Sequence, residues 1–233
     1  MSSDVNGDVN VNEQTWNEIL RIFDEGTNRI NVLFVDPARA QNTVSSLQVS
    51  ENSYIGAIAR HSGGVLVDGG WIKLLGSGND AVFGDLLSWN GFGNDIGITL
   101  LHGACIIAYD LAGGFFALNG GCFASEGHNV YYFAPDTLEW EDTELSYSDF
   151  CEWLANGDLE LFYRTFRWDG WENDIAALKG NEAISYYPPL WTEEGSAERS
   201  SRKAVPVAEL WNLYIQQHAN GMENEQCRRT RSN

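Results

Sequence analysis

Trp16, Ile19, Leu20 and Phe23 recur at i, i+3, i+4 and i+7, with Gly26 behind them. The pattern predicts an amphipathic helix over residues 13–25. "INVLFV" is β-branched and ends at Asp36-Pro37, where proline disfavours a helix before it, so a strand and then a short helix near residues 38–47 are expected. Between Tyr54 and Phe133 the helical period disappears. Short apolar runs alternate there with Gly, Asn and Asp, the pattern of a sheet. Ser62-Gly63-Gly64, between "YIGAIAR" and "VLVD", and Ala112-Gly113-Gly114, between "CIIAYD" and "FFALN", have the length and residue types of hairpin connections.

After Pro135 helical spacing returns. Ser146 and Asp149 form a capping-box pattern before Phe150, Trp153 and Leu154, and Leu159, Phe162, Tyr163 and Phe166 suggest a following helix. Pro188-Pro189 and "TEEGSAERSSRKA" read as an exposed polar loop. Pro206 then suits a helix start, with Val207, Leu210, Trp211, Tyr214 and Ile215 as its stripe. No repeat and no separating linker is visible. The expectation is a disordered leader over residues 1–12, one α+β domain over 13–218 and a disordered tail over 219–233. The domain should hold a central sheet, mostly antiparallel or mixed, with an N-terminal helix and C-terminal helices packed on it.

Composition narrows the function classes. A 233-residue chain that is 43% hydrophobic can build a sizeable core. Its 33 Asp+Glu against 14 Lys+Arg give a formal charge of −19, which repels phosphate backbones and anionic membranes and favours a basic partner. Neither nucleic acid nor membrane is an expected partner. Cys105, Cys122, Cys151 and Cys227 are scattered without a Cys-x-x-Cys pair, as in reduced cytosolic proteins. "MSSDVNGDVNVNEQ" lacks a basic start and an apolar core segment, and no apolar run is long enough to span a bilayer, so a cytoplasmic location is expected.

Motifs for catalysis fail on inspection. Asp4, Asn6 and Asp8 match the first ligand positions of a calcium loop, but Val9 and Thr15 occupy positions that need a glycine and a bidentate acid. "GSGND", residues 76–80, fits neither phosphate-loop template. There is no Gly-x-Ser-x-Gly and no His-Glu-x-x-His, and His61, His102, His128 and His218 are dispersed. On a strand, His102 and Cys105 point to opposite faces. No catalytic residue, metal ligand or cofactor is assigned. The nine tryptophans and the many carboxylates allow an alternative, a carbohydrate- or small-molecule-acting enzyme with paired carboxyls, though Trp16, Trp153 and Trp211 lie on amphipathic faces and suit a core.

One segment is different. "APDTLEWEDTELSYSD" carries Asp136, Glu139, Glu141, Asp142, Glu144 and Asp149 beside Trp140 and Tyr147, with no basic residue. Aromatics supply contact area and acids supply steering, so these eight residues are the candidate surface for a basic protein; a solvated loop leading into a helix is the plainer alternative.

The strings "GGVLVDGGWIKLLGSG", "LLSWNG", "AGGFFALNGG", "VYYFAPDTLEWED", "YSDFCEWLANGDLELFYRTFRWDGWE" and "PPLWTEEG" resemble the bacterial family termed domain of unknown function 2625, from about residue 14 to 215. That family brings no known catalytic residues. "IIAYDLAGGFFALN", "NVYYFAP" and "YSDFCEWL" also resemble, more faintly, the order of elements in the SUKH superfamily. This second resemblance implies a mixed sheet backed by helices and an immunity protein that neutralises a basic toxin domain, many such toxins being nucleases. Its oligomeric state is left open.

Overall fold

The protein is described from a computed structural model that covers residues 11–125 and 127–231. Residues 1–10, with the calcium-like string of Asp4, Asn6 and Asp8, lie outside the described residues. Helix α1 (Val11–Glu25) begins inside the expected leader. Ile19 and Phe23 are buried and Ile22 packs beside them, while Leu20 is 37% exposed, so the apolar stripe is rotated away from Leu20. Asp36 accepts hydrogen bonds from the Ala38 and Arg39 amides and caps α2 (Pro37–Leu47), with Pro37 opening the helix as expected.

Seven strands form one sheet in sequence order: β1 (Ile30–Leu33), β2 (Gly64–Val67), β3 (Ile72–Leu75), β4 (Ala104–Asp110), β5 (Phe115–Asn119), β6 (Val130–Phe133) and β7 (Trp140–Leu145). Every neighbouring pair is antiparallel. The sheet is thus an antiparallel meander and not a mixed sheet, and the fold is α+β.

"YIGAIAR" is not the strand expected from its apolar run. It forms helix α3 (Tyr54–His61), capped by Ser53, whose hydroxyl accepts from the Gly56 amide, and it packs against α1 and α2. A short buried helix and a buried strand have the same apolar pattern, and here the cap and two alanines decide for helix. Ser62-Gly63-Gly64 consequently joins a helix to a strand. Ala112-Gly113-Gly114 does turn one strand into the next, between β4 and β5.

Beyond the sheet come α4 (Tyr147–Asn156) with its capping box, α5 (Leu159–Tyr163), α6 (Trp171–Ala176), β8 (Glu182–Tyr187), β9 (Ser201–Pro206) and α7 (Val207–Arg231). The end of the expected polar loop is strand β9, paired antiparallel with β8 from Tyr187↔Ser201 to Glu182↔Pro206. Most of its residues are exposed, so it carries no apolar alternation to mark it. Helix α7 continues to Arg231, past the stripe that predicts it.

Adjacent residues of β5 show how the layers form. Phe115 meets Trp211 of α7 at a ring separation of 4.6 Å, whereas Phe116 meets Phe150 of α4 at 4.9 Å. Successive strand side chains point to opposite faces, so helices cover both sides of the sheet centre.

Candidate functional site

The middle of the acidic segment, Trp140 to Leu145, falls on β7, the last strand of the meander, whose outer edge has no partner strand among the described residues; Asp136 and Glu139 precede it, and Tyr147 and Asp149 lie in α4. That stretch is a strand and not the loop that its polarity suggests, because Phe133, Tyr132 and Tyr131 of β6 pair with Trp140, Glu141 and Asp142. Between Asp142 and Leu145 the register shifts, and Glu144 adopts φ +61. Such a bulge twists an edge strand, and its charges oppose pairing with another sheet.

The eight predicted residues separate into distinct environments. Asp136, Glu139, Glu141 and Glu144 are exposed, and none forms an ion pair among the described residues. Asp142 accepts hydrogen bonds from Asn129, Tyr131 and the Glu144 amide. Desolvation alone acts to raise its pKa, but these hydrogen bonds hold it below the usual carboxylate value. Asp149 is engaged with Ser146 at the start of α4. Trp140 is half-buried against Phe123 and Phe133, at 5.1 and 5.2 Å. Tyr147 is 7% exposed and its hydroxyl is enclosed, so it cannot serve as a contact residue, contrary to the sequence-based expectation. In α4 its position turns it into the core, a direction that a loop reading does not reveal.

Trp140 and Glu141 point to opposite faces of the sheet. On the face of Glu141 lies a pocket of about 350 Å3 lined by Phe116, Tyr132, Phe150, Trp153 and Phe162, with Glu141, Asp142, Thr143 and Leu145 at its margin. Six ring contacts join these residues into one cluster: Phe116 to Phe150 at 4.9 Å, Phe150 to Trp153 at 5.8 Å, Trp153 to Phe162 at 5.0 Å, Phe162 to Tyr132 at 5.2 Å, Tyr132 to Phe116 at 4.7 Å and, across the cluster, Phe116 to Trp153 at 6.1 Å. Phe116, Tyr132 and Phe150 are buried and make the floor; Trp153 and Phe162 are half-buried walls. The Tyr132 hydroxyl donates to Asp110 Oδ2 at 2.8 Å, which fixes the floor ring. Sequence reasoning assigned Phe150, Trp153 and Phe162 to helix stripes and missed their convergence. It also missed Asp110. Only the pairing of β5 with β6, and the seating of α4 and α5 over them, brings these rings together.

The other candidates resolve into structural roles. Arg167 stands 2.6 Å from Asp68 and 4.1 Å from the Trp171 ring, with Trp71 and Tyr163 also against its guanidinium. These tryptophans enclose a protein cation. His102 lies in the turn before β4 rather than on the strand, and burial pushes the Cys105 thiol up to about 12, which disfavours a thiolate there. His61 stacks on Trp16 at 5.2 Å, and burial, followed by the charge of Arg60, lowers its pKa. His128 and His218 contact the carbonyls of Asn119 and Leu138. Among the described residues no group of three or more His, Cys, Asp or Glu side chains could hold a metal ion, and no helix is long and apolar enough to cross a membrane.

Comparison with known proteins agrees with the resemblance read from the strings. The chain is 38% identical over 208 residues to the uncharacterized protein YbfG of Escherichia coli (strain K12), covering 89% of this chain and 94% of that one. It is 30% identical over 175 residues to an uncharacterized protein of Haemophilus influenzae (strain KW20 / Rd), covering 75% of this chain and 77% of the relative. No solved structure matches, so the fainter SUKH resemblance gains no support from a known fold. Residues 5–210 match the family described as protein of unknown function DUF2625, and the chain belongs to that family.

Proposed function

We propose that this chain is a non-enzymatic binding protein for a basic protein, with the β7 edge and the turn before it as the contact surface. The observation that carries the reading is the set of exposed carboxylates of Asp136, Glu139, Glu141 and Glu144, without an ion-pair partner among the described residues, beside an aromatic pocket on a sheet edge that no described strand covers. Exposed acids steer a cationic partner and contribute little affinity on their own; a partly open aromatic pocket supplies the desolvated anchor that steering lacks. The immunity role implied by the SUKH resemblance is one case of this reading. A nuclease toxin needs a basic surface to grip phosphate, and an acidic inhibitor competes for that surface. The proposal includes a cytoplasmic location and no cofactor, nucleic acid or membrane.

The enzyme alternative has weaker support. A glycosidase needs two carboxyls flanking a cleft, one with a raised pKa. Asp110 is raised by burial, but its carboxylate is fully enclosed and bound by its own turn.

The test compares the native chain with the triple variant Asp136→Asn, Glu139→Gln, Glu144→Gln as baits in the source lysate, each washed at low and high salt. Support requires one basic protein that is held at low salt by the native chain and is lost both at high salt and from the variant. A partner retained equally by both baits would refute the assigned surface.

A further inference from the structure

The aromatic pocket has the chemistry of a cation receptor. Its five rings form one contiguous wall, Trp153 and Phe162 remain partly open, and of the two carboxylates at its edge Asp142 is engaged by Asn129 and Tyr131 while Glu141, at the strand position opposite Tyr132, is not. Behind the floor, the Tyr132 hydroxyl is tied to the buried Asp110 carboxyl, so that ring is fixed before any ligand arrives. Ring faces carry negative potential and attract cations, tryptophan most strongly. A neutral apolar group would fill such a pocket but would leave Glu141 without a partner.

We propose that the pocket receives the guanidinium of an arginine carried by the basic partner, an inference that rests on the binding reading above. Arginine fits better than lysine for two physical reasons. Its planar head is more weakly hydrated and stacks on aromatic faces, whereas an ammonium holds its water tightly. Its fork can also meet a carboxylate in two parallel hydrogen bonds, which Glu141 at the edge is placed to accept. The volume of about 350 Å3 admits the head together with its apolar stem. The formal charge of −19 supplies the long-range attraction, and the cage supplies selection among cations.

The experiment is an NMR titration of the full chain with N-acetyl-arginine methylamide, its lysine counterpart and its uncharged citrulline counterpart. It reads the indole N–H of Trp153, assigned with Trp153→Phe. The arginine compound should shift this resonance saturably, and citrulline should bind about tenfold more weakly because it keeps the shape and loses the charge. Lysine should also bind more weakly than arginine. Glu141→Gln should weaken arginine binding about fivefold, while Glu139→Gln with Glu144→Gln should leave it within about twofold. Equal binding of citrulline, shifts confined to other tryptophans, or no saturable shift would overturn the proposal. Failure of the two readings is separable. Arginine binding to the cage without any captured partner would sink the binding role and leave the cage; a partner captured at full strength by Glu141→Gln, with Trp153 silent, would do the reverse.

Discussion

At the scale of single residues, Asp110 explains the glycine pair that follows it. Its Oδ1 accepts from the amides of Ala112 and Gly114 at 2.9 and 2.8 Å, and Oδ2 accepts from Tyr132. A Cβ on Gly114 would strike that carboxyl, and one on Gly113, where φ is +93, would strike Tyr214 of α7. The glycines therefore close a turn over a buried acid and do not cradle a phosphate. Burial raises the Asp110 pKa, and the hydrogen bonds it accepts offset only part of that rise. Folding thus favours the protonated acid. Its contribution is fully present below about pH 4, where the unfolded carboxyl is also protonated, and is lost as pH rises through the folded pKa. Asp110→Asn mimics the protonated form, so its melting temperature should gain on that of the native chain as pH rises above the ordinary carboxylate range. Parallel curves for the two proteins would show that folding does not raise the Asp110 pKa. Asp110→Ala strands three buried donors and should cost about 3 kcal/mol or more, measured by denaturant unfolding.

At the scale of elements, α4 decides how well the cage is built, because it supplies Phe150 and Trp153. Ser146 accepts from the Asp149 amide, and Asp149 reaches back to the Ser146 amide, so each satisfies a donor that the helix start would leave free. Ser146→Ala should cost about 1 kcal/mol and lower the melting temperature by about 2–4 °C. An unchanged melting temperature would mean that water replaces the cap. This element was legible in the chain: Ser146, Asp149 and the spacing of Phe150 to Leu154 mark its start and its buried side, just as Asp36-Pro37 marks α2. Other elements were hidden for physical reasons. "YIGAIAR" has the apolar run of a strand, and its helix depends on Ser53 and on burial against α1 and α2. β7 and β9 are edge strands whose exposed acids or bases remove the alternation by which strands are recognised. The candidate surface was visible as charge, since Glu139, Glu141 and Glu144 stand together in sequence. The cage was not, because Phe116, Tyr132 and Phe162 come from three separate elements and only the pairing of β5 with β6 and the docking of α5 unite them.

At the scale of the whole molecule, the sequence carries 33 acidic residues against 14 basic ones, and folding brings exposed like charges closer than they are in the unfolded chain. Among the described residues the surface ion pairs that offset this are long: Arg29 to Asp68 at 3.3 Å, Arg39 to Asp85 at 3.5 Å, Lys179 to Glu182 at 3.4 Å and Arg60 to Glu51 at 3.9 Å, and solvent weakens them. The pair of Arg167 with Asp68 differs, since the guanidinium is enclosed by Trp71, Tyr163 and Trp171 and is poorly reached by salt. Repulsion between exposed carboxylates should therefore dominate the response to ionic strength. Raising sodium chloride from about 20 to 500 mM shortens the screening length from about 20 Å to below 5 Å and should raise the melting temperature by about 4 °C. The triple variant Asp136→Asn, Glu139→Gln, Glu144→Gln should start higher at low salt and gain less, because it removes part of the repulsion that salt would otherwise screen. The same salt that stabilises the free chain should weaken its hold on a basic partner, and these opposite slopes set surface steering apart from a general effect on folding. A melting temperature that falls with salt would place the attractive pairs, and not the exposed acids of β7, in control of the molecule's electrostatics.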